Sequence, residues 1–323
     1  MRQGGEPQGV QVVRQGEPTP YHCNFNPLYC VISVINRQAA FKSSLQTISL
    51  HSDTMTTIVQ AIAQSPLPRL ETRLLLQHIT GLSHSQLITR DGDLLPPEQE
   101  AQWRQLCRRR EQGEPVAYLL GSREFYGRTF AVNRHVLIPR PETEHLLEAA
   151  LCRLPAGGAL WDMGTGSGII AVSAKLERPD ADVFASDISA DALAVAQYNA
   201  QTLKAACTFA QGSWFEAQKQ PARQWDVIVS NPPYIRADDP HLAQGDLRFE
   251  PEGALTDFAD GLQHIRHIVA QAPQHLKAGG YLLLEHGYDQ AADIRRLFAQ
   301  HGYHHCETLP DLAGLDRVTL AQL

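Results

Sequence analysis

One tetrapeptide in this chain of 323 residues, Asn231-Pro232-Pro233-Tyr234, has an evident chemical use. It follows Val227-Ile228-Val229-Ser230, an apolar run suited to a buried strand. Pro232 pushes Asn231 away from helical geometry, Pro233 does the same to Pro232, and neither proline has a backbone N–H. The product is a stiff corner that offers two acceptors, the Asn231 side-chain oxygen and the Pro232 carbonyl. Two adjacent acceptors suit an NH2 group. An amide or ring-amino nitrogen is a poor nucleophile because its lone pair is delocalised. As it attacks a sulfonium methyl group, positive charge develops on nitrogen and its N–H bonds become better donors. Acceptors aimed there bind the transition state more strongly than the ground state. Tyr234 can cover the planar group by stacking, and neither a metal nor a nucleophilic side chain is needed. A plain proline turn after a strand is the simpler alternative, and the surrounding sequence decides between them.

Upstream lies a ligand loop. Asp162-Met163-Gly164-Thr165-Gly166-Ser167-Gly168 follows one apolar run and opens a helical stretch. Its glycines allow a tight turn and let backbone N–H groups approach a ligand closely. Their spacing is G-x-G-x-G, not the G-x-G-x-x-G of dinucleotide loops. Asp187 ends the next apolar run about 20 residues on, where an acid commonly grips ribose hydroxyls. It could instead cap the following helix, but Ser189 serves that purpose itself. The loop and Asp187 fit either NAD or S-adenosylmethionine. The corner selects S-adenosylmethionine.

These motifs need a scaffold that carries them to one edge. Ala159–Met163, Asp182–Ser186, Cys207–Ala210, Val227–Ser230 and Tyr281–Glu285 read as short strands. Ile169–Leu176 and Ala190–Ala200 read as helices between them. The tail, Tyr303–Leu309 and Arg317–Leu323 around Gly314, reads as an antiparallel pair on one edge. The alternation predicts an α/β fold: a doubly wound, mostly parallel seven-stranded sheet with helices on both faces, preceded by a small helical domain. Open sheets of this kind bind ligands at the carboxyl ends of their strands.

The division expected along the chain is 1–54, 55–113, 114–145 and 146–323. Residues 1–54 are rich in Gln, Pro and Ser and keep no periodicity, as in a disordered extension or a coding start placed too far upstream. Residues 55–113 read as a helical bundle, with Leu70, Leu74 and Ile79 at helical spacing and Ser83 as a cap. Pro97 suits a first turn, and Trp103, Leu106, Cys107 and Arg110 share a face. Arg108-Arg109-Arg110 fits the cation preference of a helix C-terminus. Residues 114–145 place Phe125, Tyr126, Phe130, Val132, Val136 and Ile138 among turn formers, which suggests a hairpin connector.

A formal net charge of −7 argues against gripping nucleic acid by bulk charge. The six cysteines (Cys23, Cys30, Cys107, Cys152, Cys207, Cys306) show no CxxC pairing, so neither a zinc site nor a disulfide framework is expected. His264 and His267 lack an accompanying carboxylate pattern, and no metal site is expected. No stretch has the apolar length of a membrane span, and Tyr29–Ile35 is too short and misplaced for a signal segment. A cytoplasmic monomer is the expectation.

Across roughly residues 56–323 the sequence resembles the bacterial release-factor glutamine methyltransferases, the HemK/PrmC family. The resemblance is carried by Gly113–Tyr118, Gly121–Phe125, Leu137-Ile138-Pro139-Arg140-Pro141-Glu142-Thr143-Glu144, the glycine loop and the Asn231–Tyr234 corner. Asp239–Leu242, Gly245-Asp246-Leu247-Arg248-Phe249-Glu250-Pro251 and Leu284-Glu285-His286-Gly287 extend it. It implies a class I methyltransferase with a Rossmann-like fold. The implied reaction is N5-methylation of the glutamine in the Gly-Gly-Gln motif of class-1 peptide chain release factors. The helical N-terminal domain would help dock that partner, and no nucleic acid would be the direct substrate. Family cofactor positions fall on Gly164, Thr165, Gly166, Ser167, Gly168, Asp187, Trp214 and Asn231. The substrate site falls on Asn231, Pro232, Pro233 and Tyr234, with Asn231, Pro232 and Tyr234 as its catalytic part. Ser213 departs from the pattern, because many relatives have an aspartate there. A ribosomal-protein glutamine or an adenine amino group would suit the same corner. The Ile138–Pro141 and Arg248–Pro251 stretches favour the release-factor branch.

Overall fold

A computed structural model describes residues 55–218 and 223–323; the expected extension, 1–54, lies outside the described residues. Five helices come first: α1 Ile58–Gln64, α2 Arg69–Thr80, α3 His84–Thr89, α4 Pro97–Glu111 and α5 Val116–Leu120. Their ends are chemically specified. Thr57 with Gln60, and Ser83 with Gln86, form capping boxes at α1 and α3, each satisfying two otherwise orphaned N–H groups. Pro97 occupies the first turn of α4, followed by Glu98 and Glu100, while Arg108, Arg109 and Arg110 fill its last turn.

Ile58, Leu75, Leu76, Leu87, Leu95, Trp103 and Cys107 form the core of this helical segment. Leu70 and Leu74, which share the helical spacing, are exposed instead. On α2 the inward stripe is Thr72, Leu75 and Leu76, because α4 and α5 pack on that side. Apolar residues on α2 occupy more than one stripe, so spacing alone does not single out the inward one.

The connector is an antiparallel hairpin, β1 Ser122–Phe125 and β2 Arg128–Ala131. Both residues of its two-residue turn, Tyr126 and Gly127, have positive φ, the geometry whose twist matches paired strands. The next elements are α6 Thr143–Arg153, β3 Ala159–Met163, α7 Ile169–Glu177, β4 Asp182–Asp187, α8 Ala190–Leu203 and β5 Thr208–Gln211. They are followed by β6 Trp225–Ser230, α9 Gln263–Gln271, β7 Leu276–Glu285, α10 Ala291–Gln300, β8 His304–Pro310 and β9 Asp316–Gln322.

The sheet has seven strands in the order β5-β4-β3-β6-β7-β9-β8. Its first five strands run parallel, and β9 lies antiparallel between β7 and β8. Alternation along the strands builds two cores, one per face. Leu160, Val227, Val229 and Leu283 meet Leu146, Leu147 and Val172 on one side. Trp161, Ile228, Leu282 and Leu284 meet Phe215, Ile265, Ile268, Ile294 and Phe298 on the other. β7 begins five residues before the expected Tyr281, because Leu276 pairs with Trp225 and Lys277–Gly280 bulge before pairing resumes at Val227–Tyr281. No helix among the described residues is long and apolar enough to cross a membrane.

A strap, residues 235–256, leaves the corner and returns to it. Its ends pair with each other, Ile235 N–H donating to the Leu255 carbonyl at 3.0 Å. In its middle, Asp246 accepts from Arg110 Nη1 at 2.9 Å, and Arg248 Nη2 donates to the Gln112 carbonyl at 3.0 Å. Arg110 also binds Glu71 on α2, and Arg109 binds Glu114. Arg110 is therefore a joint between elements, more than a dipole partner of its own helix, and Arg109 ties α4 to the turn that follows it. Glu250 is buried at 6% exposure; it accepts from the Ile138 backbone N–H at 2.9 Å and pairs with Arg140. Removing one partner of a buried pair leaves the other uncompensated. Glu250→Ala should therefore lower unfolding free energy by about 3 kcal/mol, measured by urea denaturation, with Glu250→Gln distinctly milder. Equal midpoints for the Ala variant and wild type would contradict this anchoring role.

Candidate active site

The site begins where β3 and β6 end side by side. Met163 and Ser230 are paired in the parallel register, and Ser230 Oγ donates to the Met163 carbonyl at 2.8 Å. The glycine loop therefore leaves β3 next to the point where Asn231 leaves β6. Gly164 and Thr165 donate their N–H groups to the Ser186 carbonyl on β4 at 2.8 and 2.9 Å. Gly166 N–H donates to Asp187 Oδ2 at 2.9 Å, and Ser189 N–H to Asp187 Oδ1 at 2.9 Å. Asp187 thus holds the loop while ending β4, and burial raises its carboxyl above the ordinary range. Ser189 caps α8, accepting from Ala192 N–H.

Below the loop, Asp162 is fully buried. Its Oδ2 accepts from the Thr165 hydroxyl at 2.6 Å and from Ala171 N–H at 3.1 Å, while its Oδ1 has no partner among the described residues. Burial pushes its carboxyl up to about 7, against the pull of those two donors. Asn199 on α8 was given no role by its sequence position. Its amide donates to the Ser167 carbonyl at 2.8 Å and exchanges two bonds with Ala131, tying the loop to the hairpin.

Trp214 follows β5 in a left-handed backbone conformation, φ +46°. Its ring lies 3.7 Å from where a Cβ on Gly164 would stand, and His264 on α9 backs it with ring centroids 5.1 Å apart. The position of a Gly166 Cβ meets nothing within 4 Å, and Gly166 has φ +55°, which glycine adopts without strain. The neighbouring Ser213 side chain makes no hydrogen bond among the described residues.

At the corner, Asn231 Nδ2 donates to Thr143 Oγ1 at 3.3 Å, which turns Oδ1 to the other side. Within the described residues neither Asn231 Oδ1 nor the Pro232 carbonyl accepts a hydrogen bond. Tyr234 is packed inward: its hydroxyl donates to Glu285 Oε1 at 3.4 Å, and its carbonyl accepts from Gln290 Nε2 at 3.0 Å. Gly261 lies so close that a Cβ there would stand 2.3 Å from the Tyr234 carbonyl oxygen. Burial, then the Glu285 carboxyl, drives the Tyr234 phenol far above its usual range. It is therefore no proton acceptor at neutral pH. Pro233 makes no polar contact. Glu285 and Thr143 stand in two of the stretches that carry the family resemblance, yet nothing in their spacing marked them as part of the site.

The residues fit a nucleoside sulfonium ligand. Asp187 can accept from ribose hydroxyls, the unpartnered Asp162 Oδ1 suits an ammonium, the Trp214 ring lies against Gly164, and Gly166 adjoins open space. The glycine loop, Asp187 and Trp214 are brought together by β3, β4 and the turn after β5, and Asn231 emerges beside them from β6.

Fold and site together define an S-adenosylmethionine-dependent methyltransferase, and residues 142–245 match the methyltransferase small domain. Residues 54–121 match the PrmC N-terminal domain. Similar proteins include release factor glutamine methyltransferases of Neisseria gonorrhoeae, Bordetella pertussis and Escherichia coli. The first is 58% identical over 258 residues, spanning 80% of this chain and 94% of that one. The second is 51% identical, spanning 82% of this chain and 98% of that one, and the third 43%, spanning 81% and 96%. The chain belongs to the release factor glutamine methyltransferase family.

Two outcomes follow from this geometry. Asp187→Ala removes both the carboxylate suited to ribose hydroxyls and the tie to Gly166. Calorimetry should show S-adenosylmethionine affinity falling by about 10- to 100-fold, and unchanged affinity would exclude Asp187 from the binding site. Burial also moves the Glu285 carboxyl from 4.5 to about 7. Between those values the folded protein keeps a proton that the unfolded chain has released. Stability from this group is full below about pH 4.5 and is lost as pH rises through about 7. Glu285→Gln does not titrate, so its melting temperature should gain on wild type across that window. Melting curves that shift in parallel with pH would show that Glu285 does not carry this proton.

Proposed function

We propose that this enzyme transfers the methyl group of S-adenosylmethionine to the side-chain nitrogen, N5, of the glutamine in the Gly-Gly-Gln motif of class-1 peptide chain release factors. The observation that carries this reading is that the Asn231 amide N–H is committed to Thr143, while Asn231 Oδ1 and the Pro232 carbonyl accept no hydrogen bond among the described residues. Bound S-adenosylmethionine supplies an electrophilic methyl on sulfur. Gly164, Thr165, Gly166, Ser167, Gly168, Asp187, Trp214 and Asn231 hold it. Asn231 and Pro232 receive the two N–H bonds of the substrate amide, Pro233 stiffens the corner, and Tyr234 flanks the planar group.

The corner works by differential binding. The amide nitrogen gains positive charge as it reacts, so its N–H bonds strengthen toward two fixed acceptors. No base has to remove a proton before attack: as the nitrogen bonds to the methyl carbon the carbon–sulfur bond breaks and leaves a neutral thioether, and the acidified N–H then loses its proton to water. Fixing the amide beside the donor also removes the entropy of bringing two reactants together. The division 55–113, 114–145 and 146–323 belongs to the same reading. The helical segment docks the release factor, the connector joins, and the last part does the chemistry. The substrate is a cytoplasmic protein and not a nucleic acid.

The test mixes the enzyme with labelled S-adenosylmethionine and unmodified release factors, ribosomal proteins or DNA. Label should appear on release-factor glutamine, and label on ribosomal protein or DNA alone would overturn the reading. Asn231→Ala should lower turnover by about 10²- to 10³-fold with cofactor affinity largely kept. Full activity would show that the corner does not hold the amide.

A further inference from the structure

Gln290 stands at the start of α10, where a polar side chain ordinarily caps its own helix, yet it makes no such hydrogen bond. Its side chain, 7% exposed, turns toward the corner instead. Nε2 donates to the Tyr234 carbonyl at 3.0 Å and to the Gly261 carbonyl at 3.1 Å, while Oε1 accepts from Gly287 N–H at 2.9 Å. A carbonyl only accepts and a backbone N–H only donates, so all three partners demand the same orientation of the amide. A flipped amide would set its oxygen against two carbonyls and its nitrogen against an N–H.

Glycines make the room for this bridge. The Cβ position on Gly261 that falls against the Tyr234 carbonyl also lies 2.9 Å from Gln290 Nε2, and Gly261 has φ +79°. A Cβ on Gly287 would stand 3.2 Å from Gln290 Oε1. The Gly287 carbonyl accepts from His286 Nδ1 at 2.8 Å and from Gln290 N–H at 3.0 Å, which steadies the residue that holds Oε1. Three segments therefore meet on one side-chain amide: the end of the corner, the loop before α9 and the loop after β7.

We propose that Gln290 is a positioning residue for methyl transfer, which holds Tyr234 where its ring flanks the substrate amide. Tyr234 is gripped at both ends from the β7–α10 segment, its hydroxyl by Glu285 and its carbonyl by Gln290. Tyr234 and Gly261 also bracket the strap and its return path. The bridge holds the two ends of that excursion together and keeps Tyr234 from following it. Gln290 acts through Tyr234 and not on the reacting atoms, and a small displacement of a group beside the reactants is costly in rate. This role rests on the reading of the corner as the seat of the substrate amide.

The experiment compares wild type, Gln290→Met, Tyr234→Ala and the double variant on an unmodified release factor, with S-adenosylmethionine affinity and stoichiometry measured by calorimetry. Gln290→Met keeps the length of the side chain and removes all three hydrogen bonds. It should lower kcat roughly tenfold, with cofactor affinity and stoichiometry unchanged, the stoichiometry counting the folded fraction. In the Tyr234→Ala background the same substitution should lower kcat by less than about twofold, because the residue it acts through is already gone. If Gln290→Met does not fold, Gln290→Glu takes its place; it keeps an oxygen for Gly287 N–H, and its ionised form has no donor for the two carbonyls. Wild-type kcat in the Gln290 variant overturns the proposal alone, as does a full tenfold loss that persists without the Tyr234 ring. A loss of cofactor affinity or stoichiometry that matches the loss of kcat overturns it too, since the damage is then general. A wild-type enzyme that leaves release factors unlabelled overturns the functional reading and this proposal with it.

Discussion

Two parallel strands, β3 and β6, stand next to each other although two helices and two strands separate them in sequence. Parallel pairing sends both chains out of the sheet at the same edge, and the chain order reverses between them. A crevice at such a point is a property of the topology before any side chain is chosen. Here the register is pinned at its last step by Ser230 Oγ on the Met163 carbonyl, 2.8 Å long and fully buried. The glycine loop and the acceptor corner start one residue beyond these two atoms. A slip of register would move the two apart and would also send Trp161 and Ile228 to the wrong face.

Several ties outside the sheet then fix what leaves it. Asp187 holds Gly166, Asn199 joins the loop to the hairpin, and Gln290 bridges the Tyr234 and Gly261 carbonyls. The strap carries the arrangement further, from Tyr234 through Asp246 and Arg248 to α4, and through Glu250 back to Arg140. Thr143 follows Arg140 by three residues, so the segment Glu250 fixes is also the one that supplies the partner of Asn231. Helical segment, strap and corner are thus linked by a run of hydrogen bonds and ion pairs.

Much of this was legible in the sequence, for physical reasons that differ by element. β3 and β4 announce themselves because strands buried on both faces become continuous apolar runs, and the glycine loop because only glycine tolerates its backbone. Ser83, Ser189 and Pro97 signal helix starts through local hydrogen bonding, which needs no tertiary knowledge. The inward face of α2 was not legible, since Leu70 and Leu74 are as apolar as Leu75 and Leu76 and only packing decides. Thr143 and Glu285 were invisible as site residues for a related reason. They lie 88 and 54 residues from Asn231 in sequence, and a threonine at a helix start or a glutamate at a strand end has ordinary explanations. The family stretches that contain them could be matched without any hint of what those two side chains touch.

On the proposed reading, the Asn231 oxygen and the Pro232 carbonyl, which accept no hydrogen bond among the described residues, also bear on how a catalytic cycle ends. An unmodified amide brings two N–H bonds and satisfies both. Once the nitrogen carries a methyl group it brings one, and the other acceptor faces a hydrocarbon where water has been displaced. The geometry that holds the reactant is thus mismatched to the product by one hydrogen bond. On the proposed reading this mismatch favours release of the methylated glutamine and denies a second methylation the paired acceptors that held the first nitrogen.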